Sequence, residues 1–341
     1  MQNKLSFFSV FLFMISTPYL TFTYFFIPLL INNSKNSAYL FPLILFIISF
    51  VMILLLPKKF SKINYLQIIK KSYIAKACLG VFLLLMSLVN LFIAVRVVSE
   101  LFYYKHHYII FAIALTAVGI FLSRNKITSL INASTVLLLG GFVMGILPNF
   151  ITQGVKDITY LQPFEFIFSW ENLLIGIFFI LDTMLYCLIL PYTKTPFKKK
   201  HFVLVFFIMF ALFTLEIFNI IVLTGVNYLK ESEFLGFFNF FIQDTITYVG
   251  NLGFIYLYLL PVIGLFKISY DLSLFSSIFK IKRTFFSDVI LALIFIILII
   301  FMYKFQIFEV LKILITISVF LLFVVFVFIL LNRSDKYEII F

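Results

Sequence analysis

Apolar residues in this chain gather into long continuous runs. From Val289 to Phe301 no polar residue interrupts the run. A strand of a membrane barrel would alternate apolar and polar positions with a period of two. That alternation is absent, so the runs are helices. Several approach or exceed the ~20 residues a helix needs to cross a bilayer. Apolar density places spans at 5–31, 37–56, 74–98, 107–123, 128–147, 170–191, 201–227, 246–268, 285–303 and 308–332. The fold class expected is therefore all-α transmembrane, with about ten helices and both termini on one side.

Composition strengthens this picture. The chain is 64% hydrophobic and 12% charged, with a mean hydropathy of +1.17. A soluble domain carries about twice that charged fraction. The 50 Phe read as codon bias in an AT-rich genome, not as a recognition surface. The net charge of +12 belongs to loops that orient the spans, so no nucleic-acid partner is expected. With both ends inside, the cytoplasmic loops hold Lys58, Lys59, Lys62, Lys70 and Lys71, then Arg124 and Lys126, then the cluster around Lys198, then Lys267, Lys280, Lys282 and Arg283. The longest outside segments, 148–169 and 228–245, are mixed or acidic. Basic residues thus alternate loop by loop, as orientation by positive charge requires. Losing one span would invert half of that pattern.

Cys78 and Cys187 fall inside spans, lack a metal-site spacing and read as packing residues. The N-terminus reads as a first span, not a cleaved signal. No HExxH, P-loop or nucleophile elbow is present, so neither an enzyme nor a cofactor site is expected. Tyr270-Asp271 is half of an intramembrane aspartyl protease signature, but the Gly-x-Gly-Asp partner is missing.

Polar residues inside spans are costly and therefore informative. Arg96 and Glu100 lie four apart on one helix face and can pair, as an interfacial ion pair or as a gate. Asn90 lies deeper, where it can bond a neighbouring helix. Asp182-Thr183 falls about midway along the sixth span. Glu216 and Asn219 share a face of the seventh, as helix-to-helix bonds or a proton relay. Asn251 and Tyr258 lie seven apart on the eighth, where both pack or both line a site. Ser16-Thr17-Pro18 interrupts the first span, as a simple kink or as a break that frees backbone groups for a ligand. Gly141 and Gly145 form GxxxG, a helix-packing motif.

Four places resemble the spore-germination permease family, the membrane B subunits of nutrient germinant receptors within the amino acid–polyamine–organocation transporter superfamily. They are Arg96-x-x-x-Glu100-Leu101, Leu190-Pro191-Tyr192-x-Lys194-x-Pro196, Asn219, and Gly264-Leu-Phe-Lys267-Ile-Ser269. Length, span count and basic-loop positions agree with the family over most of the chain. The resemblance implies one integral membrane domain over 1–341, with inverted repeats at about 5–147 and 170–332. Spans one and six would be broken and would frame a midplane pocket with spans three and eight. It also implies an amino-acid-like nutrient ligand, A and C receptor subunits as partners, and residence in the inner spore membrane with cytoplasmic termini. The family tends to carry an acidic residue about where Asp182 sits. In one respect the chain departs from the family: Gly176-Ile-Phe-Phe-Ile-Leu-Asp182 lacks the Pro or Gly usual at the break in span six.

The reading carried forward is a ligand-sensing membrane subunit. Ser16, Thr17, Asn90, Asp182, Thr183 and Tyr258 are the expected ligand contacts. Arg96, Glu100, Glu216, Asn219 and Asn251 are the expected gating or structural polar residues. The alternative is a proton-coupled amino-acid transporter using Asp182 and Glu216. A membrane-embedded polysaccharide enzyme is a third reading, opposed by outside loops poor in Arg and His.

Overall fold

The computed structural model of the chain describes residues 4–57, 60–103, 107–151, 156–162, 166–226, 252–305 and 307–331. Within them the regular structure is helical, apart from isolated bridge residues such as the Leu5–Thr193 pair. The first apolar run holds α1 (Phe7–Ser16), α2 (Tyr19–Thr21), a π-helical segment (Phe22–Phe26) and α3 (Ile27–Ser34). Lys35 then takes φ 48° and ψ −129°, a left-handed backbone that a helix cannot continue through. After a 3₁₀ turn, α4 (Phe41–Leu55) begins with Pro42 in its first turn, where the missing N–H has no helical partner to lose. A short helix unmarked by hydropathy follows, α5 (Tyr65–Lys71), capped by Asn64.

The long elements are α6 (Tyr73–Tyr103), α7 (Tyr108–Leu122), α8 (Ile127–Ile151), α9 (Trp170–Met184), α10 (Lys199–Thr224), α11 (Leu252–Phe279), α12 (Phe285–Met302) and α13 (Ile307–Leu331). Among the described residues, seven helical stretches are long and apolar enough to cross a membrane, counting Phe7–Leu55 as one. Helix α7 and the 127–143 part of α8 are shorter apolar helices. Side chains such as Ile47, Ile297 and Phe301 point outward with more than half their surface exposed. So much outward apolar surface suits lipid and would drive association in water.

Helix α11 is the central strut. It packs most extensively on α6 and α8, and it touches α2 and α7. A Cβ added at Gly264 would lie 2.4 Å from the Leu20 methyl Cδ2, so glycine lets α11 approach the first span without moving that side chain. A Cβ at Gly141 would meet Ile263 at 2.7 Å, which places this glycine of the GxxxG motif against α11. Hydropathy ends the eighth span at 268, but α11 continues to Phe279. Lys267 is therefore no loop residue; it is a buried helix residue, 3% exposed.

The first span is interrupted where expected, α1 ending at Ser16 and α2 starting at Tyr19, but only mildly. Thr17 and Pro18 keep right-handed helical dihedrals, and the Thr17 N–H still bonds Phe13 O. A second irregularity sits about a turn later, where the Ile27 N–H reaches Phe22 O across the π segment. In span six, by contrast, the α-helix does end. After Met184 the chain tightens into 3₁₀ turns at Leu185–Leu188 and Leu190–Tyr192. These turns carry the chain to the Leu5 bridge, where the Leu5 N–H donates to Tyr192 O at 2.9 Å and the Lys194 N–H to Leu5 O at 2.8 Å. The start of the first helix is thereby tied to the tail of the sixth span.

Candidate functional site

The Lys267 side chain is the centre of a buried charge cluster. Its Nζ donates to Asp182 Oδ1 at 2.8 Å and lies 3.2 Å from Asp271 Oδ1. Asp182 comes from the last turn of α9. Lys267 and Asp271 are four apart on α11, so one helix face presents both. None of the three side chains is more than 3% exposed. The ammonium also lies 5.4 Å from the Tyr186 ring and 5.7 Å from the Tyr270 ring, within cation–π range.

The first helix closes over this cluster. Thr17 Oγ1 donates to Phe13 O at 2.8 Å, which uses its only proton. The 2.7 Å contact between Thr17 Oγ1 and Tyr186 Oη is therefore donated by the tyrosine. Phe13 packs against both Tyr186 and Tyr270. The change to 3₁₀ geometry after Met184 brings Tyr186 to this place, one turn past Asp182.

Two carboxylates and one ammonium leave one formal negative charge unbalanced. A proton or the ammonium group of a small ligand balances it. Ser16 Oγ, Tyr270 Oη and Asp271 Oδ2 are buried with no hydrogen-bond partner among the described residues, while Asp271 Oδ1 faces the Lys267 ammonium at 3.2 Å. Buried polar atoms in this state are uncommon and mark places where a ligand or water is accommodated.

The other expected polar residues meet the first helix at separate points. Thr21 Oγ1 donates to Asn90 Oδ1 at 3.1 Å, and Asn90 Nδ2 donates to Met86 O at 2.9 Å. Thr23, in the π segment, donates to Glu216 Oε1 at 3.3 Å. Asn219 is fully buried one turn further along α10. Thr183 turns away from the charge cluster to Met209 Sδ, 3.8 Å off. The hydroxyls of residues 17, 21 and 23 thus bond the α9 tail, α6 and α10 in turn.

Arg96 stands apart from the cluster. Its guanidinium lies 5.8 Å from the ring centroid of Tyr303, whose hydroxyl is 2.8 Å from Ser99 Oγ. The expected Glu100 pairing falls on a side chain outside the described residues, as does Asn251 altogether. Tyr258 is 51% exposed, so it does not share the buried site expected of it. Its seven-residue spacing from Asn251 defined a face, but that face turns outward at Tyr258.

Sequence reasoning missed Lys267, Asp271, Tyr186 and Tyr270 as site residues. Hydropathy closed the eighth span at 268, between Lys267 and Asp271, and Lys267 was counted with the loop. The i, i+4 spacing of Lys267 and Asp271 was the available signal. Among the described residues, no three His, Cys, Asp or Glu gather as a metal site would require.

The helices and this cluster define a multi-pass α-helical membrane protein whose buried charges lie between helices. No family model matches the chain, and no curated protein gives a significant match.

Proposed function

We propose that this protein is a ligand-sensing membrane subunit on a transporter-type scaffold, of the kind its sequence resembles in the spore-germination permeases. The single observation carrying this reading is the buried Asp182–Lys267–Asp271 cluster, in which two carboxylates share one ammonium and Asp271 Oδ2 has no partner among the described residues. An amino-acid-like nutrient places its ammonium beside Asp271 and balances the surplus charge. Neutralisation then alters how α9, α11 and the first helix pack, and partner subunits of the A and C type read the difference. The unit so formed would lie in the inner spore membrane with cytoplasmic termini.

The scaffold is read as an inverted repeat. Phe7–Leu55 divides at Lys35 into two passes. With the two shorter helices this makes ten passes, five through α8 and five from α9 onward. Spans one and six correspond under such a repeat, and both carry irregular helix: the π segment in one and, beside the cluster, the 3₁₀ turns in the other. Spans three and eight, α6 and α11, also correspond and form the main packing contact.

Thermal melting of the purified chain against a panel of amino acids tests the site. A stabilising amino acid should lose its effect in Asp271→Asn and keep it in Asp288→Asn. An equal shift in both variants refutes the assignment. In spores, loss of the chain should abolish the response to that same amino acid; an unchanged response refutes the sensing role.

A second reading, proton-coupled transport, has one specific observation in its favour. Glu216 is 3% exposed and bonded by Thr23 of the π segment, a distortion frequent at functional sites. Uptake into proteoliposomes driven by a pH gradient distinguishes a transporter from a sensor.

A further inference from the structure

We infer that Glu216 and the π segment of the first helix form a binding site for a monovalent alkali cation of the size of sodium. Glu216 lies inside α10 and is 3% exposed. Among the described residues, no ammonium or guanidinium forms an ion pair with it. Its carboxylate is met by the hydroxyl of Thr23, at 3.3 Å. A buried carboxylate with no positive partner is costly, so it calls for a cation or a proton. The Thr23 distance favours a cation. A hydroxyl that donates to a carboxylate comes to about 2.5–2.7 Å. Two oxygens that share one ion stand further apart. Sodium is close in size to calcium, which holds its oxygens at about 2.4 Å. Neighbouring ligands at right angles around such an ion are about 3.4 Å apart.

The π segment supplies a further oxygen. In an α-helix the Ile27 N–H would bond Thr23 O, but here it bonds Phe22 O. The next residue, Pro28, has no N–H to offer. Thr23 O is thereby left without a helical donor, on a residue with no exposed surface. The hydroxyl and carbonyl of one threonine can chelate a single cation. Tyr19 lies on the same side. Its ring packs on Phe213, one turn before Glu216 on α10, and its phenol is within electrostatic range of the carboxylate. These are hard oxygen ligands with one negative charge among them. A monovalent ion makes the set neutral, whereas a divalent ion would leave a buried positive charge. Such an ion needs no cluster of ionised ligands. Phe22 and Phe213, stacked on each other and fully buried, stand next to the ligands and favour the smaller sodium over potassium. The bound ion would tie the first helix to α10. This site is separate from the Asp182–Lys267–Asp271 cluster and does not depend on the proposed sensing function. It differs from the proton-coupled reading in what neutralises Glu216.

The test uses the full chain, purified in detergent without sodium. Thermal unfolding is followed as sodium chloride, potassium chloride or choline chloride is titrated at constant ionic strength and pH, and equilibrium dialysis with radiolabelled sodium measures binding directly. Sodium should raise the melting temperature saturably, potassium less, and choline not at all. Glu216→Gln removes the charge but keeps the shape, so it should fold in choline and lose the sodium response. Thr23→Val should weaken sodium binding about tenfold, and Thr23→Ser, which keeps both oxygens, should restore most of it. Thr21→Val removes the hydroxyl that bonds Asn90 on the same helix and should leave sodium affinity unchanged. If Glu216→Gln does not fold, the contrast between Thr23→Val and Thr23→Ser carries the same expectation. Equal responses to the three salts, wild-type sodium affinity in Glu216→Gln or Thr23→Val, or an equal loss in Thr21→Val overturns the proposal. Stability that follows pH but not sodium assigns a proton to Glu216 and overturns it as well.

Discussion

Lys267 is the residue whose removal should reveal most about how this bundle is held. Its ammonium sits 2.8 Å from Asp182 and 3.2 Å from Asp271, with all three groups out of solvent. Breaking a buried ion pair by deleting one partner costs about 3–5 kcal/mol, because a charge is left buried without compensation. Lys267→Met strands two carboxylates and should fall near the upper end, about 5 kcal/mol. Asp182→Asn leaves Asp271 to balance the ammonium and should fall near about 3 kcal/mol. Independent effects would sum to about 8 kcal/mol in the double variant. The geometry predicts otherwise. Once the ammonium is gone, converting Asp182 to Asn removes carboxylate repulsion, so the double should cost no more than Lys267→Met alone. The coupling is then at least about 3 kcal/mol. Titrating the purified variants from mild detergent into dodecyl sulfate, with helicity and tyrosine environment as readouts, measures all three. Additivity within about 0.5 kcal/mol would refute the idea that these residues form one electrostatic unit.

Three further outcomes follow from other parts of the structure. Gly264→Val should cost about 1–3 kcal/mol by forcing apart α11 and the first helix, since its Cβ meets Leu20 at 2.4 Å; adding Leu20→Ala should recover part of that loss in the same unfolding assay. Asp288→Ala should lower stability by about 1–3 kcal/mol, because Asp288 alone bridges Arg124 and Arg283; a charge-conserving Asp288→Glu should retain more of it. In the 156–162 loop, hydrogen bonds from the Thr159 hydroxyl and N–H hold the Asp157 carboxyl below its ordinary range. A depressed folded value means this contribution is present above about pH 4 and is lost as pH falls through the folded value. Thr159→Ala should raise the Asp157 midpoint, read from its carboxyl carbon shift in a selectively labelled sample; an unmoved midpoint contradicts the bond.

The positions of the apolar helices were legible because lipid leaves little choice. A backbone in hydrocarbon must satisfy its own hydrogen bonds, so apolar runs of sufficient length become helices whatever packs beside them. Asp182, Asn90 and Glu216 were also legible, since a polar group in such a run stands out. Tyr258 misled because a seven-residue spacing defines a face without saying which way it turns. The end of span eight misled for the opposite reason. Charge was taken as the mark of a loop, although Lys267 and Asp271 compensate one another one turn apart and let the helix run on.

The other breaks required the tertiary structure. Pro18, the visible breaker, separates α1 from α2, but the π segment at Phe22–Phe26 carries no such mark in the sequence. Span six has no Pro or Gly between Gly176 and Pro191, yet it leaves α geometry after Met184. There the Leu5 bridge fixes where the tail must go, and Tyr186 gains a partner in Thr17.

By itself, the sequence determined that this chain is a bundle of membrane-crossing helices, because hydropathy is a property of each segment alone. Only the tertiary structure decided that Lys267 belongs between Asp182 and Asp271, under the first helix. The partner of a buried charge lies 85 residues away along the chain, and no local pattern encodes a contact made by packing one helix against another.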